Sequence, residues 1–196
     1  MQNDAIIDSR SVGNPERFRT LTELEDGLRA LPSAALDAGR VALLVSRGPG
    51  GRRLTPAQVQ VGSDVPGDLW GRPGRDSDKQ ITVMQRDVAE LLANGQPLTL
   101  FGDNLFLDLD LSVTNLPIGS RVHAGGAVFE VTPMPHNGCV KFRGRFGDAA
   151  LRFVSRRETR HRNLRGIYMR VIDGGALAVG DPVRVITRGP ALPPPA

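Results

Sequence analysis

The chain has one cysteine, Cys139, set in the run P-H-N-G-C-V-K-F-R-G-R-F-G over residues 135–147. His136 and Asn137 precede it, and Lys141, Arg143 and Arg145 follow it at alternate positions. The thiolate is the nucleophilic and metal-binding form of cysteine, and nearby positive charge favours it. Gly138 lets the backbone approach a ligand closely. The run predicts a loop that presents one soft sulfur in a cationic pocket, suited to a thiophilic metal centre or to a persulfide. A lone cysteine is more often a small buried hydrophobe. The flanking Pro, His, Asn and Gly and the cations that follow weigh against that reading here. One cysteine and three scattered histidines, His123, His136 and His161, do not make a zinc site. A cysteine–histidine hydrolase through His136 or His161 lacks an orienting third residue and ranks low. Asp108 and Asp110 read as the wet side of a strand rather than as paired acid and base.

Charge is uneven along the chain. Of the 196 residues, 141–170 hold ten Arg or Lys against Asp148 and Glu158, so this segment carries +8 of a net +4 and the remainder carries −4. An anionic partner is expected to meet that segment. Arginine abundance alone says little about phosphate, because only Lys79 and Lys141 are lysines anywhere in the chain. Nucleic acid ranks last as a partner: Trp70 and Tyr168 are the sole tryptophan and tyrosine, so no interleaved aromatic platform exists. A single cysteine cannot form an internal disulfide, Met1–Arg10 lacks the apolar run of a secretory signal, and Val41–Val45 is too short to span a bilayer. The expected setting is cytoplasmic, with no membrane.

The elements that must position Cys139 are short. Residues 1–19 lack periodicity and read as a flexible arm. Thr20 and Glu23 form a capping box ahead of leucines at helical spacing, stopped by Pro32. Val41–Ser46 reads as a buried strand, and R-G-P-G-G-R-R-L over 47–54 as a hairpin or surface loop rather than a phosphate loop. Residues 62–78 read as a long loop pinned by Trp70. Gln80–Gln85 is a strand, Val88–Asn94 a helix capped by Asp87, and Phe101–Leu111 a half-buried strand. Arg121–Thr132 is a hairpin turning at Gly125-Gly126. Gly147–Ser155 reads as a helix and Arg156–Arg165 as a mobile basic loop. Gly166–Ile172 and Pro182–Thr187 are strands, and 188–196 is a Pro-rich tail expected to be disordered. Many short strands and few helices predict a mainly β single domain over 20–187, a barrel or twisted sheet that leaves few edges open.

Residues 80–186 resemble the MOSC domain, named for the C-terminal domain of molybdenum cofactor sulfurase. The resemblance rests on Q-I-T-V-M-Q-R-D-V-A-E-L, the turn G-D-N-L over 102–105, the hairpin ending E-V-T-P, the cysteine run, and R-G-I-Y-M-R-V-I-D-G-G-A-L-A-V-G-D-P-V over 165–183. G-D-L-W over 67–70 also looks like a family feature. The resemblance implies a β-barrel-like fold with a few short peripheral helices, and a pyranopterin molybdenum cofactor with Cys139 as metal ligand and catalytic residue. It implies either reduction of N-hydroxylated small molecules or bases, using an external electron donor, or a non-enzymatic sulfur carrier loaded as a Cys139 persulfide by a cysteine desulfurase. From proximity and charge, Asn104, His136, Asn137, Lys141, Arg145 and Arg165 are the residues expected around the cofactor.

Overall fold

A computed structural model describes residues 12–62, 68 and 76–190. Among these, the strands in chain order are β1 (Ala38–Leu44), β2 (Ser46–Arg47), β3 (Arg53–Leu54), β4 (Gln58–Val61), β5 (Ile81–Gln85), β6 (Leu105–Leu107), β7 (Arg121–Ala124), β8 (Ala127–Val131), β9 (Ile167–Asp173), β10 (Gly175–Ala178) and β11 (Pro182–Thr187). Seven of them close a barrel in the order β1-β11-β7-β8-β9-β5-β6. All neighbours in it are antiparallel except β5 and β6, which run parallel. The hairpins β2–β3 and the pair β4–β10 stand outside it. Closure removes the open sheet edges that a chain with so many short strands would otherwise expose.

The barrel is filled by Val41, Ile81, Val83, Leu105, Leu107, Val122, Phe129, Met169 and Val183. A second apolar layer lies outside, where helices α1 (Leu21–Ala30), α2 (Arg86–Ala93) and α3 (Val140–Ser155) cover one flank. Alternation is clear in β5 and β6: Ile81, Val83, Leu105 and Leu107 join the barrel interior, while Met84 and Phe106 join the helical layer. These strands are buried on both faces. The strand expected over 101–111 therefore shortens to 105–107 and is not half-buried. Asp108 instead pairs with Arg86, and Asp110 accepts from Ser112 N at 2.7 Å and Ser112 Oγ at 3.1 Å. Among the described residues neither carboxylate belongs to a group of three or more His, Cys, Asp or Glu that could hold a metal ion.

The largest departure is at the cysteine. Residues 140–147 are not a loop: α3 begins at Val140 with Cys139 as its N-cap. The cations after Cys139 looked like strand alternation, but Phe142 and Phe146 are four apart and both bury against Phe101, with ring centroids 6.0 and 4.1 Å away. That apolar pair sets the helical period and leaves Lys141 and Arg143 exposed. Gly147, at φ 89°, kinks the helix where a Cβ would come within 2.9 Å of the Phe18 ring. Gly138 faces a packing neighbour rather than open space: a Cβ there would fall 2.5 Å from Leu151 Cδ1.

The N-terminal segment from Val12 holds this helix in place. Gly13 N donates to Gly144 O at 3.0 Å, Asn14 N to Gln96 Oε1 at 2.7 Å, and Gln96 Nε2 to Arg145 O at 3.3 Å. Of the arm expected over 1–19, residues 1–11 lie outside the described residues, as do Trp70 and 191–196 of the tail. Arg188 at the start of that tail donates to Asn115 O at 3.0 Å and pairs with Asp37. The basic stretch 156–165 is tied down at both ends. Arg156 pairs with Glu25, and Leu164 and Arg165 are buried. Leu164 anchors the stretch in the helical layer. Asp87 does not act as the cap of α2, whose N-cap is Gln85.

Candidate functional site

Three segments meet beside Cys139: the turn Gly102-Asp103-Asn104, the strap Pro133–Gly138, and Arg165 at the entry to β9. Asp103 is 1% exposed and Arg165 8%. Arg165 Nη1 donates to Asp103 Oδ2 at 2.7 Å, and its guanidinium lies 5.3 Å from the Phe142 ring centroid. His136 Nε2 sits 3.4 Å from Asp103 Oδ1, too long to satisfy that oxygen, and the imidazole packs on Tyr168 with centroids 4.5 Å apart. Asp103 Oδ1, His136 Nδ1 and Arg165 Nε are buried without a hydrogen-bond partner among the described residues. Unsatisfied buried polar atoms are rare and costly, so three in one cluster mark a site not built for stability.

Burial sets the protonation states here. It pushes the Asp103 carboxyl up, although Arg165 pulls the other way. Burial also drives His136 well below the ordinary imidazole range, helped by Arg165 and Arg47, so the ring is neutral at pH 7. Their 3.4 Å approach is a polar contact of a neutral imidazole, not a salt bridge.

A second half of the site comes from the β2–β3 hairpin. Arg47 and Arg53 are directly opposed across it. Like charges in that position repel. Arg47 is offset by Asp68, with Nε–Oδ2 at 2.8 Å and Nη2–Oδ1 at 2.9 Å. Arg53 donates through Nη1 to Gly51 O at 3.1 Å and Arg52 O at 3.4 Å, both neutral acceptors. Its Nη2 lies over Gly102, 3.1 Å from where a Cβ would be, so only glycine at φ 75° admits it. Burial, then Arg145 and Arg47, pull Arg53 down to about 10. Arg145 is lowered by burial, while Cys139 works to raise it. Four guanidiniums, from Arg47, Arg53, Arg145 and Arg165, thus share one region with two carboxylates, and Cys139 stands within electrostatic reach of Arg145 and Tyr168. The cysteine itself is exposed and free.

The residues expected from sequence divide clearly. Cys139, His136, Arg145 and Arg165 are brought together. Arg145 Nη1 is committed in part to Leu100 O at 2.7 Å. Asn104 lies at the heart of the site but as its frame: Oδ1 accepts from Arg47 Nη2, Thr82 N and Thr82 Oγ1, and Nδ2 donates to Asp68 Oδ2 and Val45 O. Asn137 is exposed on the strap beside His136, and Lys141 projects to solvent from α3. Sequence reasoning missed Asp103, Tyr168, Arg47, Arg53 and Asp68. G-D-N-L and G-D-L-W were visible as motifs, and an acid next to Asn104 was a usable signal. Nothing in R-G-P-G-G-R-R-L announced that the hairpin folds back over the turn at 102–104. His123 lies on β7, opposite Val128 and Arg184.

Residues 67–184 match the model of the MOSC domain. The chain belongs to the MOSC domain family. That family is associated with molybdenum cofactor binding. Solved structures agree on the fold. The YUAD protein of Bacillus subtilis is 17% identical, with TM-score 0.57, covering 76% of this chain and 95% of that one. YiiM of Escherichia coli is 19% identical, with TM-score 0.52, covering 76% and 71%. A hypothetical protein, also 19% identical, has TM-score 0.54 and covers 76% and 68%. No curated protein matches the chain. No helix among the described residues of this MOSC domain is long and apolar enough to cross a membrane.

Proposed function

We propose that this MOSC domain binds a pyranopterin molybdenum cofactor, with Cys139 as the protein's ligand to the metal, and reduces N-hydroxylated small molecules with electrons from an external donor. The observation that carries the reading is the crowd of guanidiniums around one exposed thiol. Arginine forks suit a phosphate or another oxyanion, and here they outnumber the carboxylates four to two. The donor set fits a metal that arrives with ligands of its own. Among the described residues no group of three or more His, Cys, Asp or Glu could hold a bare ion, while one soft thiolate suits the remaining position of a sulfur-ligated centre.

When bound, the molybdenum centre would supply two-electron redox chemistry. The chain's own residues bind and orient. Arg53, whose hydrogen bonds among the described residues go to backbone carbonyls, is the best placed to take the anionic end, and Arg47 and Arg145 add to the field. Reduction of an N–OH group to N–H releases water and consumes two electrons and two protons. Asp103, whose carboxyl is pushed up, and neutral His136 lie together where a proton could be held at Asp103 Oδ1. Asn104 and Lys141, expected at the cofactor from sequence, take a framing and a surface position in this scheme.

The exposure of Cys139 favours a second reading, a sulfur carrier. In it, the Cys139 thiolate attacks the outer sulfur of a desulfurase persulfide. A new S–S bond forms at Cys139 Sγ, the donor's S–S bond breaks, and the donor cysteine leaves as thiolate.

Metal and pterin content separate the two. The protein and its Cys139→Ala and Arg53→Glu variants are purified from cofactor-replete cells. Molybdenum and pterin are expected in the wild type, with metal lost in Cys139→Ala and both lost in Arg53→Glu. If the wild type carries neither while mass spectrometry finds an added sulfur on Cys139, the carrier reading replaces the first. Equal metal in wild type and Cys139→Ala ends the ligand assignment.

A further inference from the structure

A cavity of about 360 Å3 opens beside the strap that leads to Cys139, sharing His136 with the proposed cofactor site. Its walls are Val113, Leu116, Ile118, Val131, Met134 and Ile167. Neither Cys139 nor any of the four site arginines lines it. The volume falls at the small end of the range for ligand pockets, roughly 300–1,000 Å3. Among these, Leu116 and Val131 are buried, whereas Ile118 is 42% exposed. An aliphatic side chain left in water in the wall of an apolar cavity is a mark of a binding surface rather than of a core.

The cavity also has a cation in its wall. Arg160 and His161, in the short turn Arg160–Arg162, line it, and Arg160 is exposed with no ion pair among the described residues. Arg160 also borders an adjoining cavity of about 240 Å3, shared with His136, Asn163 and Arg165. The cation therefore borders both cavities, from a turn that is itself fixed. Val113 N donates to His161 O at 2.8 Å, and Asn163 Nδ2 donates to Leu111 O at 2.8 Å.

We propose that this cavity binds a small amphiphile with an apolar aliphatic body and one carboxylate, the body against Ile118, Val131 and Ile167 and the carboxylate at Arg160. The proposal does not depend on molybdenum, because of the residues placed around the cofactor only His136 also lines this cavity. An apolar slot bordered by one guanidinium selects for that combination: the body is driven in by burial of aliphatic surface and the head by a charge-assisted bond.

Decanoate below its micelle-forming concentration is the probe, with 1-decanol as the uncharged control, titrated into the intact protein by calorimetry and by amide chemical-shift mapping. Saturable decanoate binding is expected, with shifts in residues 113–118 and 160–167. Arg160→Glu should weaken decanoate by roughly tenfold or more, the value of one good charge-assisted contact, and leave decanol unchanged. Ile118→Gln, at a position exposed enough to fold normally, should weaken both. The proposal falls if decanoate fails to saturate, if its shifts map elsewhere, or if Arg160→Glu binds it as well as wild type. The Cys139→Ala variant should bind decanoate normally, so loss of metal and loss of this site are read separately.

Discussion

At Asp103, His136 and Arg165 three side chains capable of charge lie in a volume with little water to share among them. Removing one partner from a buried pair leaves the other uncompensated, typically at about 3–5 kcal/mol. Arg165→Met should therefore lower stability by about 3 kcal/mol in urea unfolding, and an Asp103→Asn, Arg165→Met double variant should recover part of it. His136 gives the pair a pH signature. Its folded pKa is depressed by burial, so between that value and 6.5 the unfolded chain binds the extra proton and stability falls as pH falls. Asp103 acts in the opposite sense. Its folded pKa is raised, so above its ordinary 3.8 the folded state holds the extra proton and stability falls as pH rises through that window. Melting temperatures from pH 7.5 to 5.5 should drop in the wild type and flatten in His136→Gln. A His136→Gln profile parallel to the wild type would refute the assignment.

The elements show why some of this was legible and some not. The hairpin at Gly125-Gly126, the strand Ile81–Gln85 and the last strand Pro182–Thr187 stand almost where the sequence puts them, because turn chemistry and β-branched runs are local signals. The helix at Val140 was misread because V-K-F-R-G-R-F satisfies two periods at once, and only the partner surface, Phe101, decides between them. Asn104 was legible as important and its role was not, since its partners come from positions 45, 47, 68 and 82. Lys141 and Arg145 look equivalent in sequence, and the helix sends one to solvent and the other inside. The kink tests this picture. Gly147→Ala meets both a φ of 89° and the Phe18 ring, and should cost about 2 kcal/mol with faster hydrogen exchange confined to α3 and the 12–19 segment.

Across the whole molecule two layers have different tasks. The closed barrel supplies a rigid frame, and the helical layer on its flank carries Cys139. That layer is pinned by contacts from Gly13, Asn14 and Phe18 rather than by strand pairing. A chain begun at Thr20 should keep its barrel and lose its grip on α3. The expected result is unchanged exchange in β7, β8 and β9 but increased exchange over 140–150 and reduced metal retention. Uniform loosening of both layers would contradict the division.

The opposed arginines of the β2–β3 hairpin have a practical corollary. They form a compressed electrostatic spring, and any oxyanion that settles on Arg53 relaxes it. Binding to the folded state alone raises apparent stability by mass action. Inorganic phosphate or sulfate should therefore raise the melting temperature of the empty protein more than chloride at equal ionic strength, and Arg53→Glu should abolish the difference. The same anions would then be rivals of whatever the hairpin was built to hold, so a phosphate buffer chosen to keep the protein intact would be the one that keeps it empty.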